Sequence, residues 1–69
     1  MGQMVRTASR YHVRVVVLME DGSRKEMEME CKTLSEAQEI AYPIWREGLP
    51  VVDVAISGPK GYYEIVGAV

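Results

Sequence analysis

The most reactive side chains in this chain are one thiol and one imidazole, Cys31 and His12. A thiolate activated by an imidazole is a compact nucleophilic pair. Alternation along the flanking strands sends Cys31 to the face of Met27 and Met29 and His12 to the face of Glu28 and Glu30, so the sheet backbone stands between them. Cys31 reads as a packed structural cysteine. Glu26, Glu28 and Glu30 share one face about 7 Å apart, a separation used by acid-base pairs. Catalysis needs a desolvated cleft to split their pKa values, and an open strand face offers none. The stripe reads as solvated surface or as a docking surface for a basic partner. Gly58-Pro59-Lys60-Gly61 has the residue types of a phosphate loop but neither its spacing nor a helix start behind it, so it reads as a turn. One His and one Cys cannot close a structural zinc site. No enzyme, metal or cofactor is expected.

These residues are positioned first by a hairpin, His12 to Met19 and Ser23 to Cys31. Its register follows from parity. A two-residue loop at Asp21-Gly22 would send Val13, Val15 and Val17 to the glutamate face, whereas a three-residue loop, Glu20-Asp21-Gly22, pairs Val15 with Met27 and Val13 with Met29. Gly22 then takes the left-handed position of a bulged type I turn. Arg14 faces Glu28 and His12 faces Glu30 on the other side, leaving Val16 and Leu18 as an apolar spot on a polar face. An apolar spot with a charged rim is the make-up of a protein contact. Its alternative is a second small core, covered by Met4, Val5 or the terminal Val66-Gly67-Ala68-Val69.

Thr33-Leu34-Ser35-Glu36 is a capping box, with the Thr33 hydroxyl accepting from the Glu36 amide and the Glu36 carboxylate reaching back to the Thr33 amide. Leu34, Ala37, Ile40, Ala41, Ile44 and Trp45 form the apolar stripe of the helix that follows, with Gln38, Glu39, Tyr42, Arg46 and Glu47 outward. Pro43 should kink this helix or end its first part after Tyr42. Gly48 is the left-handed cap, with Leu49 folding back on the last turn. Val51 to Ser57 and Gly61 to Val66 form the second hairpin. Loops of two or four residues both pair Ser57 with Tyr62, which places Val54, Ile56, Tyr63 and Ile65 inward and Asp53, Ala55, Tyr62 and Glu64 outward. The fold expected is α+β, strand-strand-helix-strand-strand, an antiparallel sheet with one helix packed on one face. Residues 1–10 are read as a partly ordered arm and 11–69 as a single domain.

At 69 residues such a domain buries only about 60% of the surface its unfolded chain exposes. Small domains usually add a staple, and a single cysteine excludes an internal disulfide, so a partner or self-association through sheet edges is expected. A lone thiol suits a reducing compartment, and no apolar run reaches the roughly 18 residues a membrane span needs, so the chain reads as cytoplasmic with no membrane partner. The net charge of −2 is sorted. Arg6, Arg10 and Arg14 precede an acidic middle from Glu20 to Glu39, which argues against general nucleic-acid affinity and leaves at most a weak nucleic-acid binder acting through the arginine arm.

The run Lys32-Thr33-Leu34-Ser35-Glu36-Ala37-Gln38-Glu39-Ile40-Ala41, after an acidic strand and before a Val-rich one, resembles the helix start of the podophage inhibitor of bacterial RNA polymerase. The order hairpin, helix, hairpin also resembles several anti-CRISPR proteins. The likeness to such small phage-encoded inhibitors covers residues 11–57, while the extra final strand and Pro43 depart from the polymerase inhibitor. It implies a binding or inhibitory protein that docks on a host nucleic-acid-handling complex through strand and loop charges, with Arg14, Glu28 and Glu30 in comparable places. Together with the apolar spot, the expected partner-binding residues are Arg14, Val16, Leu18, Glu26, Glu28 and Glu30.

Overall fold

A computed structural model describes residues 10–69. The expected arm, with Arg6, Met4 and Val5, lies outside the described residues apart from Arg10. Strands β1 (Tyr11–Leu18) and β2 (Arg24–Cys31) are followed by helix α1 (Leu34–Arg46), strand β3 (Val51–Ser57), a 3-10 turn (Pro59–Gly61) and strand β4 (Tyr63–Ala68). The sheet is antiparallel throughout, in the order β2-β1-β3-β4. The architecture is therefore α+β in the expected order. The central places go to β1 and β3, the strands richest in valine, and the edges go to the charged β2 and the short β4. Val13, Val15, Val54 and Ile56 supply the sheet side of the core, with Ala37 and Ala41 of α1 against them.

The first hairpin has the register that parity required, with Val15 opposite Met27, Val13 opposite Met29, Arg14 opposite Glu28 and His12 opposite Glu30. The Gly22 amide donates to the Met19 carbonyl at 3.0 Å, and Gly22 has φ +89°, the left-handed end of a three-residue loop. Asp21 fixes the turn by accepting from the Ser23 hydroxyl at 2.6 Å and the Ser23 amide at 3.0 Å. Met27 and Met29 lie on the helix side, yet 44% and 36% of their surface is exposed, because α1 sits over β1 and β3 rather than over the β2 edge.

The helix begins as its capping box dictates: the Glu36 amide donates to the Thr33 hydroxyl at 3.1 Å. The Glu36 carboxylate accepts from the amide of Lys32, one residue before the expected Thr33. All six stripe residues pack on the core. Pro43 does not end the helix, which continues to Arg46. Pro43 and Glu39 are both on the exposed side, so the carbonyl that loses its amide partner faces water and the loss is tolerated. Gly48, with φ +82°, caps the end as expected. Leu49 does not fold back; it is 74% exposed, because the Val51 amide turns inward to bond the Gly48 carbonyl and carries the chain directly into β3.

The second hairpin departs from the expected register. Its loop holds three residues, Pro59-Lys60-Gly61, closed by the Gly58 amide on the Tyr62 carbonyl at 3.0 Å. Ser57 therefore pairs with Tyr63, Ile56 with Glu64 and Ala55 with Ile65. An odd loop shifts the partner by one, and a shift of one exchanges the faces. Tyr62, Glu64 and Val66 turn toward the helix, while Tyr63 and Ile65, expected inward, are 54% and 63% exposed on the other face.

Two glycines allow ring stacking on the sheet. A β-carbon at Gly58 would collide with the Tyr11 ring, and one at Gly67 with the Trp45 indole. The Tyr11 ring also meets Tyr62 edge to face, with centroids 5.9 Å apart.

Candidate partner-binding face

With one helix on one side, the described residues leave the opposite face of the sheet open. Alternation brings Glu26, Glu28 and Glu30 of β2 to it, then His12, Arg14, Val16 and Leu18 of β1, Asp53, Ala55 and Ser57 of β3, and Tyr63 and Ile65 of β4. All six residues expected to bind a partner thus lie on one surface. Glu26, Glu28 and Glu30 are exposed; Val16 is half-buried between Glu26 and Asp53; Leu18 is 38% exposed opposite Arg24.

Arg14 organises the centre of this face. Its Nε lies 3.7 Å from Glu26 Oε2, and its Nη2 donates to the Tyr63 hydroxyl at 3.3 Å. The side chain thus reaches from β1 to both edge strands, and it crosses the short side chain of Ala55, which is 2% exposed. The Nε atom is shut off from water without a hydrogen bond of its own. The ion pair is diagonal rather than with Glu28 directly opposite, and Arg10 likewise pairs with Glu30 at 3.6 Å. A twisted sheet brings diagonal neighbours within reach of a long side chain. Both pairs are substantially exposed, so each adds little to stability. Glu28, between two paired neighbours, has no ion-pair partner among the described residues.

Two concavities mark the face. A recess of about 140 Å³ is lined by Arg14, Glu26, Glu28, Ala55, Ser57 and Tyr63. A larger groove, about 690 Å³, lies at the hairpin tip where this face meets the helix side, between Val17, Leu18, Met19 and Pro50, with Glu20, Asp21 and Ser23 at its rim. The apolar spot foreseen at Val16 and Leu18 is thus centred on Leu18 and widened by Met19, itself 41% exposed, and Pro50. The terminal segment does not cover it. Ala68 pairs with Asp53 and the Val69 amide bonds the Val52 carbonyl, which extends β4 along β3 instead.

Tyr63 and Ile65 belong to this face and were missed by the parity argument, which considered only even loops. The signal was present in the sequence. Pro59-Lys60-Gly61 ends in glycine after three residues, as Glu20-Asp21-Gly22 does, and Gly61 has φ +80°.

The opposite side holds a polar cluster the sequence did not announce. Glu64 accepts from Gln38 Nε2 at 3.0 Å, from the Tyr62 hydroxyl at 2.8 Å and from the Tyr42 hydroxyl at 2.7 Å. These bonds, from Tyr42 first, then Gln38 and Tyr62, hold the Glu64 carboxyl below its ordinary range. The cluster ties α1 to β4. Cys31 is buried on the helix side, opposite Tyr11, while His12 lies on the open face opposite Glu30. Burial, with Glu36 and Glu30 nearby, pushes the Cys31 thiol up, so it is a protonated packing residue at neutral pH. Among the described residues no three His, Cys, Asp or Glu side chains cluster to hold a metal ion, and no helix is long and apolar enough to cross a membrane.

No protein-family model matches the chain, and no curated protein or solved structure matches it either.

Proposed function

We propose that this is a non-enzymatic binding protein that seats a basic surface of a protein partner on the open face of its sheet. The observation that carries this reading is that the described residues cover only one sheet face and leave on the other Glu28, exposed and without an ion-pair partner among them, and, further along at the hairpin tip, the apolar groove of Leu18, Met19 and Pro50. Carboxylates in a row steer a basic partner and set its orientation, and burial of the groove slows its departure. Arg14, braced by Glu26 and Tyr63, holds the centre of the surface in one conformation, which reduces the ordering cost of binding. The resemblance to small phage-encoded inhibitors adds a target class, a host complex that handles nucleic acid. Such a complex carries basic surfaces shaped for phosphate, which an acidic stripe can occupy.

The test begins with capture of the partner from bacterial lysate on the intact chain, followed by titration of Glu28→Lys with Glu30→Lys. Exposed charges contribute below about 1 kcal/mol to folding, so the melting temperature should barely move. Affinity should fall at least about tenfold, chiefly through slower association. Leu18→Asp should weaken binding through faster dissociation. Full affinity in the charge-reversed chain would reduce the stripe to solvated surface.

A further inference from the structure

Among the described residues β2 has one neighbour, β1, so its outer side is an open sheet edge. Two hydrogen bonds at the hairpin tip decide which backbone groups that edge presents. The Met19 amide donates to the Ser23 carbonyl at 2.7 Å and the Leu18 amide to the Pro50 carbonyl at 2.8 Å, so along β1 the odd-numbered residues bond β2 and the even-numbered ones face β3. In β2, then, Lys25, Met27, Met29 and Cys31 turn their backbone groups to β1. The outward amides and carbonyls belong to Arg24, Glu26, Glu28 and Glu30.

Side chains alternate with the same period, so the three glutamates stand beside these outward groups on the open face. Glu28, at the centre of the row, has no ion-pair partner among the described residues. On the other side of the sheet Met27 and Met29 border the same edge, 44% and 36% exposed, because α1 sits over β1 and β3. One edge thus combines backbone hydrogen-bonding groups, negative charge on one face and an apolar ledge on the other. A copy of β2 laid antiparallel there would set glutamate against glutamate, and like charges directly opposite are destabilising.

We infer that an extended segment of the partner adds to β2 as a fifth strand, antiparallel like every pair in this sheet. The segment carries Lys or Arg opposite Glu26, Glu28 and Glu30 and apolar residues opposite Met27 and Met29, so basic and apolar positions alternate along it. Main-chain hydrogen bonds hold such a strand, and the two faces select its sequence. The inference rests on the reading of the acidic stripe as a docking surface and adds what that surface recognises, an extended backbone and not basic charge alone.

A peptide of alternating lysine and valine is the probe, titrated on the intact chain while hydrogen exchange is followed at the amides of Glu26, Glu28 and Glu30. These amides should exchange fast in the free chain and slow when the peptide is bound. A peptide of the same composition with its lysines in one block should bind at least about tenfold more weakly, because only alternation fills both faces. Methylating the lysine backbone nitrogens, which face β2 in an antiparallel pair, should abolish binding, whereas methylating those of valine, which face away, should not. Equal binding by the block peptide or the lysine-methylated peptide would overturn strand addition; if Glu28→Lys with Glu30→Lys still abolished that binding, the acidic face would stand as a docking surface read by charge alone. Slow exchange of the three amides in the free chain would also overturn it, by showing the edge already covered. If no lysine peptide binds, strand addition and the reading of the stripe fall together.

Discussion

A carboxylate that accepts from three uncharged donors is held in its ionised form, and Glu64 is so placed. Its folded pKa is lowered, so its contribution to stability is present above the ordinary glutamate range and is lost as pH falls through the folded value. The tyrosines titrate in the opposite sense. Hydrogen bonding to Glu64 is the first cause that raises both Tyr42 and Tyr62, so their contribution is full below the ordinary tyrosine range and is lost as pH rises through the folded values. Glu64→Gln keeps the shape but removes the charge. We expect it to cost on the order of 1 kcal/mol at neutral pH, after allowance for partial solvation, and to flatten both flanks of the stability profile. Urea melts across acid, neutral and alkaline pH check this. A variant that keeps the original acid dependence would show that another group controls it.

At the scale of elements, two close approaches decide how α1 and the first hairpin seat on β3 and β4. The Trp45 indole lies on Gly67 and the Tyr11 ring on Gly58, each where a β-carbon would collide. Gly67→Ala must therefore lift the last turn of α1 or bend the end of β4. Overpacking of this kind costs about 1–3 kcal/mol. Leu49→Ala, at a residue 74% exposed, should stay within about 0.5 kcal/mol. Chemical denaturation of both variants, with Trp45 fluorescence as the signal, separates a local seating effect from general sensitivity. Equal midpoints for the two would show that the indole does not rest on Gly67 in solution.

For the whole molecule, the governing facts are a thin two-layer body, with extents of 39 × 26 × 15 Å, and a net charge of −2. On the open face, Glu26, Glu28, Glu30 and Asp53 outnumber Arg10, Arg14 and Arg24, and Glu30 and Glu26 already neutralise Arg10 and Arg14. Nucleic-acid backbones need clustered free cations, and binding through a few of them is lost steeply with salt. Duplex and single strands should therefore bind weakly at low salt and not at physiological salt. A salt-tolerant gel shift at submicromolar protein would reverse the ranking in favour of the arginine arm.

The sequence by itself determined what depends on neighbours along the chain. The Met and Glu alternation with Gly22 set the first hairpin's register, Thr33 and Glu36 set the helix start, and the stripe from Leu34 to Trp45 set its buried side. It also placed all six expected contact residues on one face, because parity within a single hairpin is a local property. Register in the second hairpin was legible in principle, since Gly61 plays the part of Gly22, yet alternation there is too weak to choose between odd and even loops: Ala55 and Tyr63 suit either face. Strand order, the seating of α1 over β1 and β3, and the company of Arg14 and Glu64 were decided only in three dimensions. Arg14 and Tyr63 meet across 49 positions of chain, and Gln38 and Glu64 across 26. Contacts at that separation leave no period in the sequence, because they are selected by which apolar surfaces bury best together once the local elements exist.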